Sequence, residues 1–541
     1  MSSLSRATAV MSFGTVLSRV TGLARLAAIA AALGVAETRL TDTYNLANTA
    51  PNILYELVLG GVLTSVFVPV FVELLEKEGR EKAWQVGSAI LNLSIVILTA
   101  VTVLGILLAP WIAKFYALRL DGPDEVQQRE ALTFLLRLFF PQIIFYALTA
   151  ITAGFLNAHK RFGAPMYTPI LNNLAVITVF IAFAQAYGTV SLAEVETSHL
   201  LLIGLGTTAG VALMAFAQLP FLRGLGKYRF TLSIAHPSVK KLGRLSVFVV
   251  GYVVTNQIGY LVVQWLANKQ TGGYSAYVAA FTFFMLPHGL FAVSVITALL
   301  PSMSEHAINE RWEEYRDRLS VGIRATVLLV LPAAVGYFVL GEPIVRLLLE
   351  RGVMTDRSTE LVADVLRFFV LGLVPFSIFQ LLLRAFYALH DTKTPFLINC
   401  AAIALNTAVN VPMFQLLGVE GLAAGHAISY VFGVTAQGVS LNRRVGGIWG
   451  REVTASVTRI GAAALGMGVV VWVAWRALAP LVGAGLFGQT LEVAVPAGVG
   501  AVAFLLLAHV LRVPELDMVR GLIARRAPKP PVPEEDDFER R

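Results

Sequence analysis

Long hydrophobic stretches recur along almost the whole chain, and they constrain the fold more than any other feature. They are centred near residues 20, 58, 98, 145, 177, 210, 255, 290, 330, 376, 405, 430, 465 and 501. A helix of ~20 apolar residues crosses a hydrocarbon core of ~30 Å. The sequence therefore predicts an all-α integral membrane protein with about 14 transmembrane helices.

The composition agrees with this prediction, because the chain is far more apolar than a soluble protein. Hydrophobic types make up 56% of the 541 residues and charged types only 14%, whereas soluble domains carry about 25% charged residues. Hydrophobic stretches continue to about residue 512, which leaves no room for a separate soluble domain.

The net charge of +8 is explained by membrane orientation rather than by nucleic-acid binding. With the N-terminus inside, the cytoplasmic segments hold 27 of the 42 Lys and Arg, the external segments hold nine, and six lie within helices. Such a bias towards the cytoplasmic side orients membrane proteins. We therefore expect both termini to be cytoplasmic and no nucleic-acid partner.

Matching motifs recur at an offset of about 230 residues. Leu136-Arg137-Leu138-Phe139-Phe140 matches Leu366-Arg367-Phe368-Phe369-Val370, Ser65-Val66-Phe67-Val68-Pro69 matches Thr297-Ala298-Leu299-Leu300-Pro301, and Pro110 matches Pro343. This offset spans six predicted helices, and an even number means that both copies cross the membrane in the same sense. The pattern predicts a parallel repeat, in which transporters place the substrate between the halves.

The repeat divides the chain into four predicted regions. They are an N-lobe of helices 1–6 (residues 1–236), a C-lobe of helices 7–12 (237–450), an extra pair of helices 13 and 14 (451–512) and a cytoplasmic tail (513–541). The tail is rich in Pro and acidic residues from Ala527, so we expect its end to be disordered. The extra pair is nearly uncharged, which fits either a lipid-facing accessory surface or a packing pair with no special task.

Polar residues at membrane depth are concentrated in the first two predicted helices. Arg19 and Arg25 lie in the first, where a central arginine costs about 2.5–3.5 kcal/mol and should face protein or a water-filled cavity. They also interrupt the apolar stretch, so we expect no cleaved signal peptide. The second helix carries Asp42, Asn45, Asn48, Asn52 and Glu56. Its asparagines share one stripe, so the two helices predict a polar cleft in the N-lobe.

Two interpretations of this cleft remain open. Guanidinium groups in a desolvated cavity suit a phosphate or pyrophosphate, because their planar fork donates two parallel hydrogen bonds. Alternatively, Arg19 or Arg25 is neutralised by Asp42 or Glu56 and only holds two helices together. Both hold if substrate phosphate exchanges with the ion pair.

The second half contains weaker candidates for substrate contacts, namely Gln257, Thr282, His288 and Arg384. A lone histidine such as His288 is more often a hydrogen-bonded core residue than a proton relay. Arg384 lies close enough to the cytoplasmic end to snorkel. Asn406 and Asn410 are one turn apart, and they either coordinate a cation or bond between helices.

Motifs for covalent chemistry are missing. Gly224-Leu225-Gly226-Lys227 lacks the spacing and the following Ser or Thr of a nucleotide-binding loop. The eight histidines contain no His-x-x-x-His pair, and the single Cys400 excludes a disulfide framework. The predicted external loops are too short for a glycosyltransferase. We therefore predict a transporter rather than an enzyme, with no metal or cofactor.

Several separated motifs give the chain a family resemblance from about residue 4 to 512. They are Ser18-Arg19-Val20-x-Gly22-x-Ala24-Arg25, Pro51-Asn52, Phe67-Val68-Pro69, Leu156-Asn157-x-x-x-Arg161-Phe162-x-x-Pro165 with Pro169 and Asn172, and Phe386-Tyr387-x-x-x-Asp391-Thr392-Lys393-Thr394-Pro395. In this order they resemble the MurJ/MviN family of lipid II flippases, within the multidrug/oligosaccharidyl-lipid/polysaccharide exporter superfamily.

The resemblance implies two six-helix lobes around a central cavity, with the extra pair forming a groove for a polyprenyl tail. It implies transport of lipid II from the inner to the outer leaflet of the bacterial cytoplasmic membrane for peptidoglycan synthesis. Arg19 and Arg25 match arginines that the family uses on substrate phosphates, and Asp42 matches an acid in the cavity. Membrane lipids and proteins of cell-wall synthesis or division are further implied partners.

Some positions depart from the family pattern. Tyr55 and Glu56 stand where many members carry paired arginines, Gly60 replaces a glutamate, and Thr282 replaces an arginine. Either Arg19 and Arg25 hold most of the substrate phosphate, or this branch recognises a modified lipid. Helix 7 has no carboxylate, which disfavours a sodium site.

Two transporter functions and one structural function compete with lipid II flipping. The transporters are a flippase for another polyprenyl-linked glycan and a multidrug or cation exporter of the same superfamily. The exporter should have a carboxylate-rich lobe for coupling, whereas this cleft carries arginine. A purely structural scaffold would not need arginines at membrane depth.

Overall fold

The structure of the protein, a computed structural model, describes residues 3–56, 68–118, 120–231 and 237–516, and within them it is built from α-helices without strands. The helices are α1 (Ser3–Leu33), α2 (Arg39–Tyr55), α3 (Val68–Lys77), α4 (Gly79–Ala117), α5 (Pro123–Phe139), α6 (Gln142–Ala158), α7 (Gly163–Tyr187), α8 (Thr197–Phe216), α9 (Pro237–Ala267), α10 (Gly273–Pro287), α11 (Val293–Ile308), α12 (Trp312–Leu349), α13 (Asp356–Leu371), α14 (Leu373–Ala388), α15 (Lys393–Leu417), α16 (Val419–Val445), α17 (Arg451–Leu478) and α18 (Leu486–Val510). Gly60, the Ser65–Phe67 part of the repeat motif and the predicted disordered tail end lie outside the described residues.

The predicted membrane-spanning class is confirmed. Among the described residues, 10 helical segments are long and apolar enough to cross a membrane, and the bent pair α13–α14 raises this number to 11. Of the other three predicted stretches, the one centred near 58 lies largely outside the described residues, beyond the 17-residue α2, and those near 255 and 430 fall on α9 and α16, which are not among these segments. The predicted count of about fourteen is therefore roughly consistent with the helices observed.

Three of the spans are broken, and two of the breaks have a proline beside them. α5 and α6 meet at Phe140–Pro141, and Pro287 is followed by one π-helical turn over 288–292 that leads into α11. Proline lacks the N–H that would continue the helical ladder. α13 and α14 meet at Gly372 with a bend of 47°.

The two predicted six-helix lobes are present, and their helices pack in matching pairs. In the first lobe α1 packs on α7, α4 on α5 and α7 on α8. In the second lobe the equivalent helices repeat these contacts: α9 packs on α15, α12 on α13 and α15 on α16. The lobe boundaries at 236, 450 and 512 stay a prediction.

Backbone geometry repeats at the same offset. Lys160 and His390, each in the turn after a lobe's fourth span, have positive φ angles of 59° and 56°. Gly188 and Gly418, each before a lobe's last helix, have φ angles of 65° and 67°. Residues with a Cβ rarely adopt positive φ. The positive φ angles of both Lys160 and His390, 230 residues apart, therefore reflect a shared local structure.

The extra helices α17 and α18 pack on each other and on α12 of the second lobe. Arg351 donates to Gln489 Oε1 at 2.7 Å, and Ser456 donates to Glu515 at 2.7 Å. Their outer surfaces are apolar and exposed, as at Leu465, Trp472 and Leu506. The pair is thus anchored to one lobe and presents an apolar face outward.

Helix directions define two ends of the bundle. The Gly34 end carries the segments 34–38, 118–122, 268–272 and 350–355, and the Lys160 end carries 159–162, 309–311, 389–392 and 446–450. The largest core cluster includes residues of both lobes, among them Tyr44 and Tyr274.

Candidate substrate cavity and the contact between the lobes

Helix α1 lies between the two lobes. Asn173 of α7 donates to Thr21 Oγ1 at 3.0 Å and to the carbonyl oxygen of Ser18 at 3.3 Å, which fixes one face of α1 on its own lobe. Other parts of α1 contact α10 and α12 of the second lobe. Side chains of α1 that point away from α7 therefore face the space where the lobes meet.

Arg19 reaches the second lobe. Its guanidinium packs so closely on Gly289 that a Cβ at this glycine would collide with it. Gly289 lies in the π-helical turn, beside the buried His288, whose Nδ1 is 3.0 Å from Ser377 Oγ. The half-buried Arg19 therefore links α1 to the broken span of the other lobe.

Arg25 faces the interior of the first lobe. It is half-buried and lies near Tyr44 and Tyr146 of the first lobe. Neither Arg19 nor Arg25 forms an ion pair within 4.0 Å with any residue of the described part of the chain. The predicted alternative, an ion pair to Asp42 or Glu56 that only joins two helices, is therefore not found; Glu56 is half-buried at the end of α2.

The position of Asp42 corrects a sequence prediction. Instead of lining a cleft, its side chain is fully buried and caps the start of α10. It accepts hydrogen bonds from the backbone N–H of Gly272 at 2.7 Å and of Ser275 at 2.9 Å, and from Ser275 Oγ at 2.7 Å. Unpaired N–H groups at a helix start attract a carboxylate. Since α2 and α10 are equivalent helices, this contact joins the lobes.

The asparagine stripe of α2 runs away from this contact. Asn45 donates to Ser275 Oγ at 3.0 Å, so it belongs to the lobe contact rather than to a cavity. Asn48 has a buried side-chain oxygen without a hydrogen-bond partner among the described residues, and Asn52 is exposed. Asn48 and Asn52 are therefore the members of the stripe that remain available to a ligand.

The weaker candidates of the second lobe have different surroundings. Thr282 donates to Val278 O at 2.8 Å within its own helix, and Gln257 is half-buried on α9. Arg384 is exposed, with its guanidinium carbon 5.7 Å from the centre of the Tyr387 ring. Of these four candidates, only His288 lies beside Arg19. The structure therefore does not bring the four side chains together in one site.

Asn406 and Asn410 bond to each other rather than between helices. Asn410 Nδ2 donates to Asn406 Oδ1 at 3.0 Å along α15. Asn406 also lines a cavity of about 200 Å³ inside the second lobe, together with Asn256 and His426.

A second carboxylate, Glu37, joins the lobes at the Gly34 end. One oxygen accepts hydrogen bonds from the backbone and side chain of Thr355 at 2.8 and 2.7 Å and from Ser358 Oγ at 2.7 Å. The other accepts from Val35 N at 2.6 Å. Burial raises the pKa of Glu37, but these hydrogen bonds lower it more, so the pKa lies below its ordinary value of 4.5.

Arg39 adds a third connection at this end. It forms an ion pair with Asp124 at 2.9 Å and donates to the carbonyl oxygen of Asn268 in the second lobe at 3.0 Å. Sequence reasoning missed Glu37 and Arg39, because their partners Thr355 and Asn268 lie hundreds of residues away. The only local signal was their place beside Thr38, the N-cap of α2.

Two six-helix lobes joined at one end, with arginines on a helix between them, define the class of this protein as a membrane transporter of the exporter fold. A solved multidrug transporter of the MATE family in an inward-facing conformation has this fold, with a TM-score of 0.64, 11% identity, and coverage of 82% of this chain and 98% of its own. A solved lipid II flippase MurJ in an inward closed conformation gives a TM-score of 0.74 at 23% identity, with coverage of 94% of this chain and 99% of that one.

Sequence comparison identifies the family. The model of the family described as lipid II flippase MurJ matches residues 29–487. A probable lipid II flippase MurJ of Rhizobium tropici is 27% identical over 525 residues, which cover 95% of this chain and 96% of the relative. The lipid II flippase MurJ of Burkholderia cenocepacia is 29% identical over 430 residues, covering 77% and 80%. The chain belongs to the lipid II flippase MurJ family.

Proposed function

We propose that this chain moves lipid II, the undecaprenyl-pyrophosphate-linked peptidoglycan precursor, from the inner to the outer leaflet of the bacterial cytoplasmic membrane by alternating access. The observation that carries the proposal is the pair Arg19 and Arg25, two half-buried cations on the helix between the lobes without an ion-pair partner among the described residues. Membership of the family supplies the substrate class.

The arginines provide the binding chemistry for the pyrophosphate. A guanidinium donates two parallel hydrogen bonds to phosphate oxygens, and such charge-assisted bonds are about twice as strong as neutral ones. Arg19 contacts the second lobe at Gly289, whereas Arg25 faces Tyr44 and Tyr146 of the first. A pyrophosphate bound by both arginines would therefore be held by both lobes, which couples substrate binding to their relative movement.

The distribution of basic residues supports this direction. With the N-terminus in the cytoplasm, the Gly34 end faces outward, and the contacts of Asp42 and Glu37 close the external side. Opening towards the outer leaflet then requires these inter-lobe hydrogen bonds to break. In the proposed transport cycle, the described conformation therefore precedes release of the substrate to the outer leaflet.

The polyprenyl tail needs an apolar surface while the headgroup crosses the cavity. The outward faces of α17 and α18, with Leu465, Trp472 and Leu506 exposed, offer such a surface beside the second lobe. The division into lobes at residues 236 and 450 and an extra pair ending at 512 is part of this proposal. Partners among cell-wall synthesis or division proteins remain a prediction.

A depletion experiment in the native cell tests the proposal. We expect loss of the chain to raise lipid II in the inner leaflet and lower it in the outer leaflet, measured by leaflet-resolved extraction and labelling. An unchanged leaflet distribution would contradict the proposal. Accumulation of a different polyprenyl-linked glycan would instead assign the chain to another flippase substrate.

A further inference from the structure

Arg137 and Arg367 occupy equivalent positions in the two lobes, but only the second is neutralised. Arg367 pairs with Asp364 at 2.5 Å and with Glu342 at 3.6 Å. Arg137, 230 residues earlier on α5, is exposed and makes no hydrogen bond or ion pair with the described residues. A charged side chain at membrane depth normally has a partner, so the difference requires an explanation.

The first lobe lacks both of the acids that neutralise Arg367 in the second lobe. Phe134 stands at the position equivalent to Asp364, three residues before the arginine in each lobe. Ala109 precedes Pro110 as Glu342 precedes Pro343. The first lobe therefore keeps the cation while replacing its two intramolecular counterions with apolar residues.

Arg137 lines a pocket of about 440 Å³ on the flank of α4 and α5. Lys114 and Arg129 also line it, and Glu130 is its one carboxylate, so cations outnumber acids three to one. Arg129 has a weak partner in Glu125 at 3.6 Å. We call this site the Arg137 pocket.

The surroundings of the Arg137 pocket are apolar. Trp111 forms part of its wall and is 70% exposed, and Leu107, one turn further along α4, is 67% exposed. Exposed apolar side chains on a membrane helix face hydrocarbon, and tryptophan is enriched at the level of lipid headgroups. The pocket therefore opens to the lipid and lies outside the space between the lobes.

We propose that the Arg137 pocket binds the phosphate group of an anionic phospholipid in the leaflet at the Gly34 end. The phosphate would supply the counterion that Asp364 and Glu342 supply to Arg367, because guanidinium and ammonium groups donate charge-assisted hydrogen bonds to phosphate oxygens. Acyl chains would follow the exposed apolar face of α4. Since the pocket opens onto this face, a lipid phosphate fits better than soluble phosphate.

Native mass spectrometry of the full-length protein tests this proposal by titration with phosphatidylglycerol and phosphatidylcholine. We expect a preference for phosphatidylglycerol and about tenfold weaker binding of it in Arg137→Gln, a loss expected for one charge-assisted contact. Phe134→Asp keeps the arginine but restores the counterion of the second lobe, and we expect it to weaken binding similarly. Lys114→Gln is a third variant in case either protein fails to fold, as judged by thermal unfolding.

Arg476→Gln is the control, because Arg476 is an exposed cation near the same end that is stacked on Trp475 instead. It should leave phosphatidylglycerol binding unchanged. Equal affinity in the wild type and the pocket variants would overturn the proposal, as would an equal loss in Arg476→Gln. Displacement of the lipid by excess inorganic phosphate would show a soluble-anion site and would also overturn it.

Discussion

The carboxylate of Asp42 on α2 accepts hydrogen bonds from both the backbone N–H and the hydroxyl of Ser275 on α10, at 2.9 and 2.7 Å. These residues lie 233 positions apart and belong to different lobes. Because α2 and α10 are equivalent helices of the repeat, their meeting places one buried charge at the lobe contact. Under the proposed alternating access, these two hydrogen bonds would have to break when the lobes separate at the Gly34 end.

Asp42→Asn should weaken the contact between the lobes. The amide keeps the size of the side chain but loses the charge, and hydrogen bonds to charged groups contribute about 1.5–3 kcal/mol. We expect an increase of roughly thirtyfold in the ratio of open to closed molecules. Electron–electron distance measurements between spin labels at Asp121→Cys and Glu360→Cys, in a Cys400→Ser background, would detect a longer-distance population.

Ser275→Ala serves as the comparison for Asp42→Asn. It removes one hydroxyl donor but leaves both backbone N–H groups on the carboxylate, so its effect should be smaller. An identical distance distribution in the wild type and Asp42→Asn would show that this contact does not hold the lobes together.

The Glu37 contact should depend on pH. Since the pKa of Glu37 is lowered in the closed state, its contribution to closure is fully present above the ordinary pKa of 4.5 and is lost as pH falls through the lowered value. We expect the wild type to be more closed than Glu37→Gln at pH 7, with the difference vanishing at acidic pH. The same spin-label pair measures this difference, and a difference that grows on acidification would contradict the assignment.

Arg25→Ala should abolish growth in cells that depend on this chain, because under the proposed function it removes one of the two guanidinium groups that bind the pyrophosphate. Arg19→Lys should also fail if bidentate phosphate binding is needed, since lysine carries the charge but not the fork. Arg476→Ala is the matched control: it removes an exposed arginine that stacks on Trp475. Growth and membrane level are measured together, and normal growth with Arg25→Ala would make that residue purely structural.

Gly87→Ala should destabilise the first lobe. A Cβ there would lie 2.5 Å from the ring of Phe155 and 2.9 Å from that of Phe71, both in a buried aromatic cluster. Overpacking of this kind costs about 1–3 kcal/mol. Gly461→Ala in α17 is the control, because a Cβ there meets nothing within 4 Å. Thermal unfolding in detergent should show a lower midpoint for the first variant only.

Features that depend on local sequence pattern, such as the helices and the repeat, could be predicted from the sequence. Contacts between residues that are distant in the chain could not. Hydrophobic stretches predicted the all-α membrane fold, and the matches around Arg137 and Arg367 predicted two lobes of the same direction. Asp42 was assigned to a cleft because its neighbours Asn45 and Asn48 are polar. Its capping of α10 depends on how two helices 230 residues apart approach, which no local spacing reveals.

Arg19 could be recognised from the sequence as a candidate functional residue, whereas Glu37 could not. An arginine at membrane depth is conspicuous in any reading of the sequence, because its burial is costly. Glu37 sits in a short polar segment between two helices, where a carboxylate is ordinary, and only the approach of Thr355 and Ser358 gives it a role. The π-helical turn that brings Gly289 against Arg19 likewise depends on tertiary packing after Pro287.

Reconstitution of the purified chain into vesicles tests the central claim most directly. Fluorescent lipid II would be loaded in the inner leaflet, and its arrival in the outer leaflet would be followed with an added glycan-cleaving enzyme. We predict transfer by the wild type, transfer little above that of empty vesicles for Arg25→Ala, and transfer near the wild-type rate for Arg476→Ala. Equal transfer by the wild type and Arg25→Ala, or by the wild type and empty vesicles, would contradict the account.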